Sequence, residues 1–570
     1  MKLILRYLRP LRLSIALGLS IKVFATLCEL TLPYILSYIL DTVVPTHDVG
    51  SILRWGGVMV VASLIGMTGN VLANRNAARV AREASRQIRH DLFDATMHLS
   101  ARQTDAFTIP SLESRLTSDT YNVHHFIGMM QRMAIRVPIL LLGGIAITMV
   151  LDWRLSLIML VTLPFIGGSV FLITKRGLPL YKATQQAVDR MVRVVREDCT
   201  GIRVIKALSK EEYEMRRYDY ANRELIAKEQ RAGTTMALSQ PLMNLFLNLG
   251  LVAVILLGAY FANGGLSSSG RIIAFIQYFT LMSGAMTAMT RIFVHFTKST
   301  ASANRIEAVL QAREDARAPG RVPAPDGSFI RFEGVSFSYN GRKNNLTDIS
   351  FSIPRGGTLG IIGATGSGKT TLIALLMRIY DASSGSIQID GEDIYAIDPK
   401  VLHQMFGVVM QNDFISADTV AENIRFGRDI SDTAVRRAAE LAQALDFIEA
   451  FPDKFEHRLT SKGTNVSGGQ RQRILIARAL AASPDILILD DASSALDYKT
   501  DASLRRVIRE ELHTTTVVVA QRVSSVMHAD RILVLDRGRI IGDGTHAELL
   551  DGCPVYREIS DSQMGGAFLE

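Results

Sequence analysis

Six long apolar runs crowd the first three hundred residues, and they constrain the fold more than any other feature of the chain. Backbone that enters lipid must satisfy its own hydrogen bonds, so a run of this kind is a helix or is not in the membrane at all. Roughly 20 apolar residues cross a bilayer, and each run is of that order. They are Leu13–Leu40, Trp55–Ala73, Ile127–Leu151, Leu155–Thr174, Ala237–Ala262 and Ile272–Phe293. The third is the weakest, because its uncharged part is only Val137–Leu151 and Arg132 and Arg136 sit one turn apart at its start. Arginines are dense between the second and third runs (Arg75, Arg79, Arg82, Arg86, Arg89, Arg102, Arg115) and basic residues are plentiful again between the fourth and fifth, while the alternate loops hold few. The positive-inside rule therefore puts both termini and the long loops in the cytoplasm. Those loops, Arg75–Leu99 and Tyr181–Arg231, carry apolar residues at three- and four-residue spacing, so we expect helices that continue the spans into water.

Beyond residue 311 the pattern changes to short apolar strands alternating with polar turns, the mark of a soluble α/β domain. A chain of 570 residues exceeds one core in any case. We therefore expect a six-span helical membrane domain over 1–310, a linker over 311–327 rich in Ala, Pro, Arg and Asp, and an α/β phosphate-loop domain over 328–570. The formal charge of +8 follows from arginines flanking the spans, so no nucleic-acid partner is expected. Cys28, Cys199 and Cys553 are far apart and follow no metal spacing. The basic, amphipathic start, Met1 to Pro10, reads as a short interfacial helix and not as a removed signal.

The soluble half is organised around Gly363–Thr370, which fits G-x-x-x-x-G-K-[ST]. Glycines let the loop bring backbone N–H groups close to phosphate oxygens, and the helix opening at Lys369 points its positive end at the same place. Gly363, Thr365, Gly366, Ser367, Gly368, Lys369, Thr370 and Thr371 are the candidate phosphate contacts, with Lys369 reaching the outer phosphates and Thr370 a ligand of Mg²⁺. The preceding run Leu359–Ile362 and the periodic segment after Thr371 supply the strand and helix the motif needs. Downstream, Ile486–Leu489 ends in Asp490-Asp491, a buried strand delivering carboxylates to the phosphate end of a sheet. Asp490 is placed to hold Mg²⁺, and Asp491 to polarise the attacking water. Val466-Ser-Gly-Gly-Gln470 before a basic helix makes a second anion cradle, and Tyr339 offers a ring on which adenine could stack.

In this combination the chain resembles the ATP-binding cassette transporters, specifically exporter-type half-transporters in which six spans precede one cassette. The resemblance runs through Leu112–Asp119, Gly201–Lys206 with Glu211, Ala301–Leu310, the aromatic loop at Tyr339, the phosphate loop, the glutamine loop at Gln411, the signature Val466–Gln470 and Ser494–Asp497. It implies ATP and Mg²⁺ as cofactors, with Gln411 touching both nucleotide and metal. It also implies pairing with a second half-transporter, so that Ser467, Gly468, Gly469 and Gln470 close over the partner's nucleotide. The expected setting is a bacterial plasma membrane and the expected cargo an amphipathic drug, lipid or peptide. Segments near Thr108–Leu116 and Thr200–Ser209 resemble the elements that dock on cassettes. An importer of metal chelates on the same scaffold, or a nucleotide-switched sensor, remains open.

Two positions depart from the family pattern. Its catalytic glutamate is replaced by Asp491, and the histidine expected after the strand Thr515–Ala520 by Gln521. Ser461, before the signature, stands where exporters usually have glutamate. Both catalytic departures fall on the site made by this chain's own phosphate loop, whereas the signature that serves a partner is intact. The expectation is a heterodimer with one degenerate and one active ATPase site. Within the spans, Lys22 and Glu29 share a face of the first helix and suit either a cavity wall or interhelical contacts. Met282, Met286 and Met289 form a stripe in the sixth, with Arg291, His295 and Lys298 below it.

Overall fold

The computed structural model describes residues 1–312, 327–411, 413–492, 495–512 and 514–564. The linker expected at 311–327 falls almost wholly outside them, as do Ser494 and the side chain of Arg291. The chain forms two compact units, one of Met1–His98 with Phe107–Ala312 and one of Leu99–Ala106 with Arg313–Glu570.

The first unit is helical throughout. Lys2–Leu8 is a short helix, as the amphipathic start predicts, and six helical stretches among the described residues are long and apolar enough to cross a bilayer. The first membrane helix is Arg12–Tyr38, the second Val49–Met97, the fourth Trp153–Ala207, the fifth Glu211–Ala237 continued by Ser239–Asn263, and the sixth Ser269–Leu310. Turns between them carry side-chain caps. Asp48 accepts from Gly50 N at 2.9 Å, and Asp152 accepts from Arg154 N at 3.0 Å. At 1.5 Å per residue the 49 residues of the second helix extend about 73 Å and the 55 of the fourth about 82 Å, against roughly 30 Å of hydrocarbon. The helices therefore run far beyond the bilayer, as the loop periodicity predicts.

The third span is not a regular helix. Three stretches of π-type turn, Arg115–Asp119, Met130–Ala134 and Ile139–Gly143, interrupt it. Such widened turns re-aim side chains and are frequent at functional positions. Asp119, at the end of the first, is 1% exposed and receives Ser302 Oγ at 2.8 Å and Arg305 Nε at 2.7 Å, tying the third helix to the sixth. Met282 is fully buried and Met286 packs beside it, so these two methionines fill the helix interface, while Met289 is exposed.

The second unit contains two sheets. The strands are β1 (Ile330–Phe337), β2 (Leu346–Ile353), β3 (Thr358–Gly363), β4 (Ser384–Ile389), β5 (Glu392–Asp393), β6 (Phe406–Val409), β7 (Ile486–Asp490), β8 (Thr515–Val519), β9 (Arg531–Asp536) and β10 (Arg539–Gly544). An antiparallel sheet has the order β2-β1-β4-β5, and a six-stranded sheet the order β10-β9-β3-β8-β7-β6, parallel except for β10. β7 is buried at all five positions, which explains its unbroken apolar run. Because β8 lies between β3 and β7, the carboxyl ends of three parallel strands meet at one edge, where open α/β sheets bind ligands.

Candidate active site

The site is assembled from those three strand ends. β3 delivers the loop that begins at Gly363, β7 delivers Asp490 and Asp491, and β8 delivers Ala520 and Gln521. A cavity of about 240 Å³ lies among them, lined by Asn345, Thr365, Gly366, Gly368 with Lys369–Thr371, Gln411, Asp490, Asp491 and the end of β8 through Gln521. The sequence candidates Asp491 and Gln521, both departures from the family pattern, thus face the same cavity as the phosphate loop.

The loop's glycines answer specific geometric demands. A Cβ on Gly363 would stand 2.1 Å from Leu535 O, and Gly368 adopts φ +107° with Leu346 Cδ2 only 2.6 Å from where its Cβ would be. Lys369 opens the helix Lys369–Leu376 and folds its Nζ back to donate to Gly363 O at 2.8 Å and Ala364 O at 3.0 Å. Burial pushes its ammonium below the usual lysine range, opposed by the charges of Asp490 and Asp491. Thr370 Oγ1 donates to Asp490 Oδ2 at 3.2 Å. Burial, helped by the charge of Asp491, pushes the Asp490 carboxyl up, while the Thr370 hydrogen bond and Lys369 draw it back. A divalent cation beside Asp490 and phosphates beside Lys369 would reverse the two shifts. The Ser367 side chain places Oγ in the interior with no hydrogen-bond partner among the described residues.

These donors suit Mg²⁺ with a polyphosphate. Thr370 and Asp490 are hard oxygen ligands held together, and no cluster of three or more His, Cys, Asp or Glu capable of caging a metal occurs among the described residues. Mg²⁺ is commonly held by one or two protein oxygens plus the phosphates it accompanies. Tyr339 stands beside the cavity. Its hydroxyl is 3.2 Å from Thr371 Oγ1, and its ring packs edge-on against Phe337 and Tyr380 at centroid distances of 4.7 and 5.1 Å.

Ser467, Gly468, Gly469 and Gln470 are not among the residues lining this cavity. They begin the helix Gly468–Leu480 through a capping box, in which Ser467 Oγ accepts from Gln470 N at 3.2 Å and Gln470 Oε1 accepts from Ser467 N at 2.9 Å. The serine hydroxyl is engaged only as an acceptor there, which leaves its proton to donate outward.

Sequence reasoning missed Asn345, which lines the cavity from the β1–β2 loop and belongs to no motif. It also missed Tyr380, whose hydroxyl donates to Asp105 at 2.6 Å within the second unit. Tyr380 follows the phosphate-loop helix by four residues, but nothing local marks a partner 275 positions earlier.

Two family models match the chain, "ABC transporter transmembrane region" over residues 15–286 and "ABC transporter" over residues 346–494. The chain is 33% identical over 563 residues to the uncharacterized ABC transporter ATP-binding protein YfiB of Bacillus subtilis, covering 98% of each chain. It is 32% identical over 570 residues to an ABC transporter ATP-binding protein of Mycobacterium tuberculosis, again covering 98% of each. Among solved structures, a bacterial Atm1-family ABC exporter with ATP bound superposes with a TM-score of 0.80 at 24% identity, covering 98% of both chains, a likeness of fold.

Proposed function

The chain belongs to the ABC transporters, a multi-pass membrane region joined to an ATP-binding domain, and from that premise we propose that it is one half of a heterodimeric exporter of amphipathic compounds. Residues 1–310 form its membrane domain and 328–570 its cassette, joined by 311–327, with both termini in the cytoplasm of a bacterial cell. The observation that carries this reading is the convergence of Asp491 and Gln521 on the cavity of the chain's own phosphate loop, while Ser467 to Gly469 keep an intact cap elsewhere.

The roles follow from the chemistry. Loop amides, Lys369 and Ser367 bind phosphates; Thr370, Asp490 and Gln411 would hold Mg²⁺, which would supply positive charge to the phosphate oxygens. Tyr339 stacks on adenine. Asp491 orients water from a position one carbon–carbon bond short of a glutamate, about 1.5 Å, and Gln521 donates a hydrogen bond without the charge of an imidazolium. Nucleotide is thus held firmly and cleaved slowly here. Ser467, Gly468, Gly469 and Gln470 complete a fast site on a partner chain that carries Glu and His. Closure of the pair then switches the spans between inward and outward access.

The test is transport. Inside-out vesicles containing this chain and its partner should accumulate an amphipathic cargo only with hydrolysable ATP. ATP-driven depletion of cargo from the lumen would indicate import, and nucleotide switching without flux of any cargo would indicate sensing; either result sinks the exporter reading.

A further inference from the structure

At the foot of the third span two arginines contend for one buried carboxylate. Asp119 holds Arg305 of the sixth helix through both of its oxygens and accepts Ser302 Oγ as well. Arg115 opens the widened turn that Asp119 closes, and residues four apart on a helix lie on one face, within reach of each other. Arg115 nevertheless makes no bond to Asp119. Its Nε and Nη1 are buried with no hydrogen-bond partner among the described residues. Its guanidinium lies instead over the ring of Phe107, 4.6 Å from the centroid.

The two arginines differ in what they lose when unpaired. The Arg305 side chain is 50% exposed and that of Asp119 only 2%. A released Arg305 can be hydrated, whereas a carboxylate as buried as Asp119 must keep a cation. The unmet nitrogens of Arg115 are out of water and stand to gain most from that carboxylate. One pairing ties the third span to the sixth helix, and the other closes within the third span. Asn122 Nδ2 donating to Ser302 Oγ at 3.1 Å and Ser299 Oγ donating to Asn122 O at 2.9 Å keep the two helices together in either case. Phe107 stands between the alternatives. It is the first residue after Leu99–Ala106, the segment that groups with the second unit, so a displacement of that segment reaches the Phe107 ring through one peptide bond.

We propose that Arg115 is a positioning residue that replaces Arg305 on Asp119 when nucleotide binds, unfastening the sixth helix from the third span. Nucleotide moves the Leu99–Ala106 segment, the Phe107 ring leaves Arg115, and Arg115 takes the carboxylate one turn away. Arg305 is then given up to water. Such a two-state element, with one partner satisfied in each state, lets a small displacement be read out as a switch. The inference rests on the exporter reading for the nucleotide-driven movement of the spans, but the reactivity of Arg305 tests it separately.

The full chain in phosphatidylcholine nanodiscs is treated with phenylglyoxal, which modifies guanidinium groups not engaged with a carboxylate. Modification of Arg305 is read by mass spectrometry with and without Mg-ATP. Mg-ATP should speed it severalfold. Arg115→Gln removes the competitor, so Arg305 should stay as slow with Mg-ATP as without it, and Arg115→Lys should restore the response. Phe107→Ala frees Arg115 from its ring, so Arg305 should react severalfold faster with no nucleotide present. A merely structural Arg115 does not produce this opposed pair of effects. Should Arg115→Gln misfold, judged by lost binding of trinitrophenyl-ATP, Phe107→Ala carries the test. Arg305 reactivity that ignores Mg-ATP in the wild type, still rises with Mg-ATP in folded Arg115→Gln, or is unmoved by Phe107→Ala overturns the proposal. Cargo flux with Arg305 unresponsive to Mg-ATP sinks it and leaves the exporter reading standing; release of Arg305 that follows these variants, without flux of any cargo, upholds it and removes the exporter.

Discussion

On the degenerate-site proposal, placing glutamate and histidine at the phosphate-loop site of this one chain should turn slow ATP hydrolysis into competent turnover. Asp491 follows β7 at φ +53°, and its N donates to Val519 O at 2.9 Å, so its Cα is anchored to the end of β8. Gln521 leaves that same strand end two residues later. With the backbone pinned, side-chain length decides where the carboxylate stands. Asp491→Glu extends reach by about 1.5 Å, and a misplacement of about 1 Å costs about a hundredfold in rate, or about 2.7 kcal/mol of barrier. Against this, a left-handed conformation costs a longer side chain about 1–2 kcal/mol, which aspartate partly escapes through local hydrogen bonding. That strain is present with and without the transition state, so it lowers the melting temperature and leaves the rate gain intact. Asp491→Glu with Gln521→His, in a chain left to pair with itself through its intact signature, should raise phosphate release about a hundredfold over wild type, less for Gln521→His alone. A double variant that still binds trinitrophenyl-ATP but hydrolyses no faster than wild type would refute the reasoning.

The other consequences concern the loop and the metal carboxylate. Gly368→Ala places a methyl group 2.6 Å from Leu346 Cδ2 at φ +107°, so it should cost about 1–3 kcal/mol of stability and abolish trinitrophenyl-ATP binding, read by thermal unfolding and fluorescence titration. Asp490 has its folded pKa raised, chiefly by burial. A carboxyl in that position binds its proton more tightly folded than unfolded, so its ionised form costs stability above the folded pKa, and the cost fades as pH falls through it. Asp490→Asn should therefore raise the nucleotide-free melting temperature at pH 7, with a gain that shrinks as the pH is lowered, while abolishing the dependence of nucleotide binding on Mg²⁺.

Much of this site was legible because its logic is local. The spacing from Gly363 to Thr370, the apolar strand before it and the run ending at Asp490 each announce their geometry within a few residues. The spans were equally legible, since lipid leaves a long apolar run no alternative to a helix. What escaped is what depends on distant chain. Asn70 and Asn74 as partners of Lys22, Arg136 as partner of Glu29, and Asp105 as partner of Tyr380 are set by how helices and strands pack. The widened turns of the third span were visible only as a weak, arginine-bearing apolar run. Met282 and Met286 read as a stripe in sequence, and only packing shows that the stripe is turned inward.

The most direct test of the central claim is ATP hydrolysis by this chain purified alone and reconstituted in lipid. The account predicts firm binding of Mg-ATP and little turnover, with rapid hydrolysis appearing only when a partner bearing Glu and His is added and lost again on Ser467→Ala in this chain. Robust turnover by the lone protein, abolished by Lys369→Ala, would contradict it.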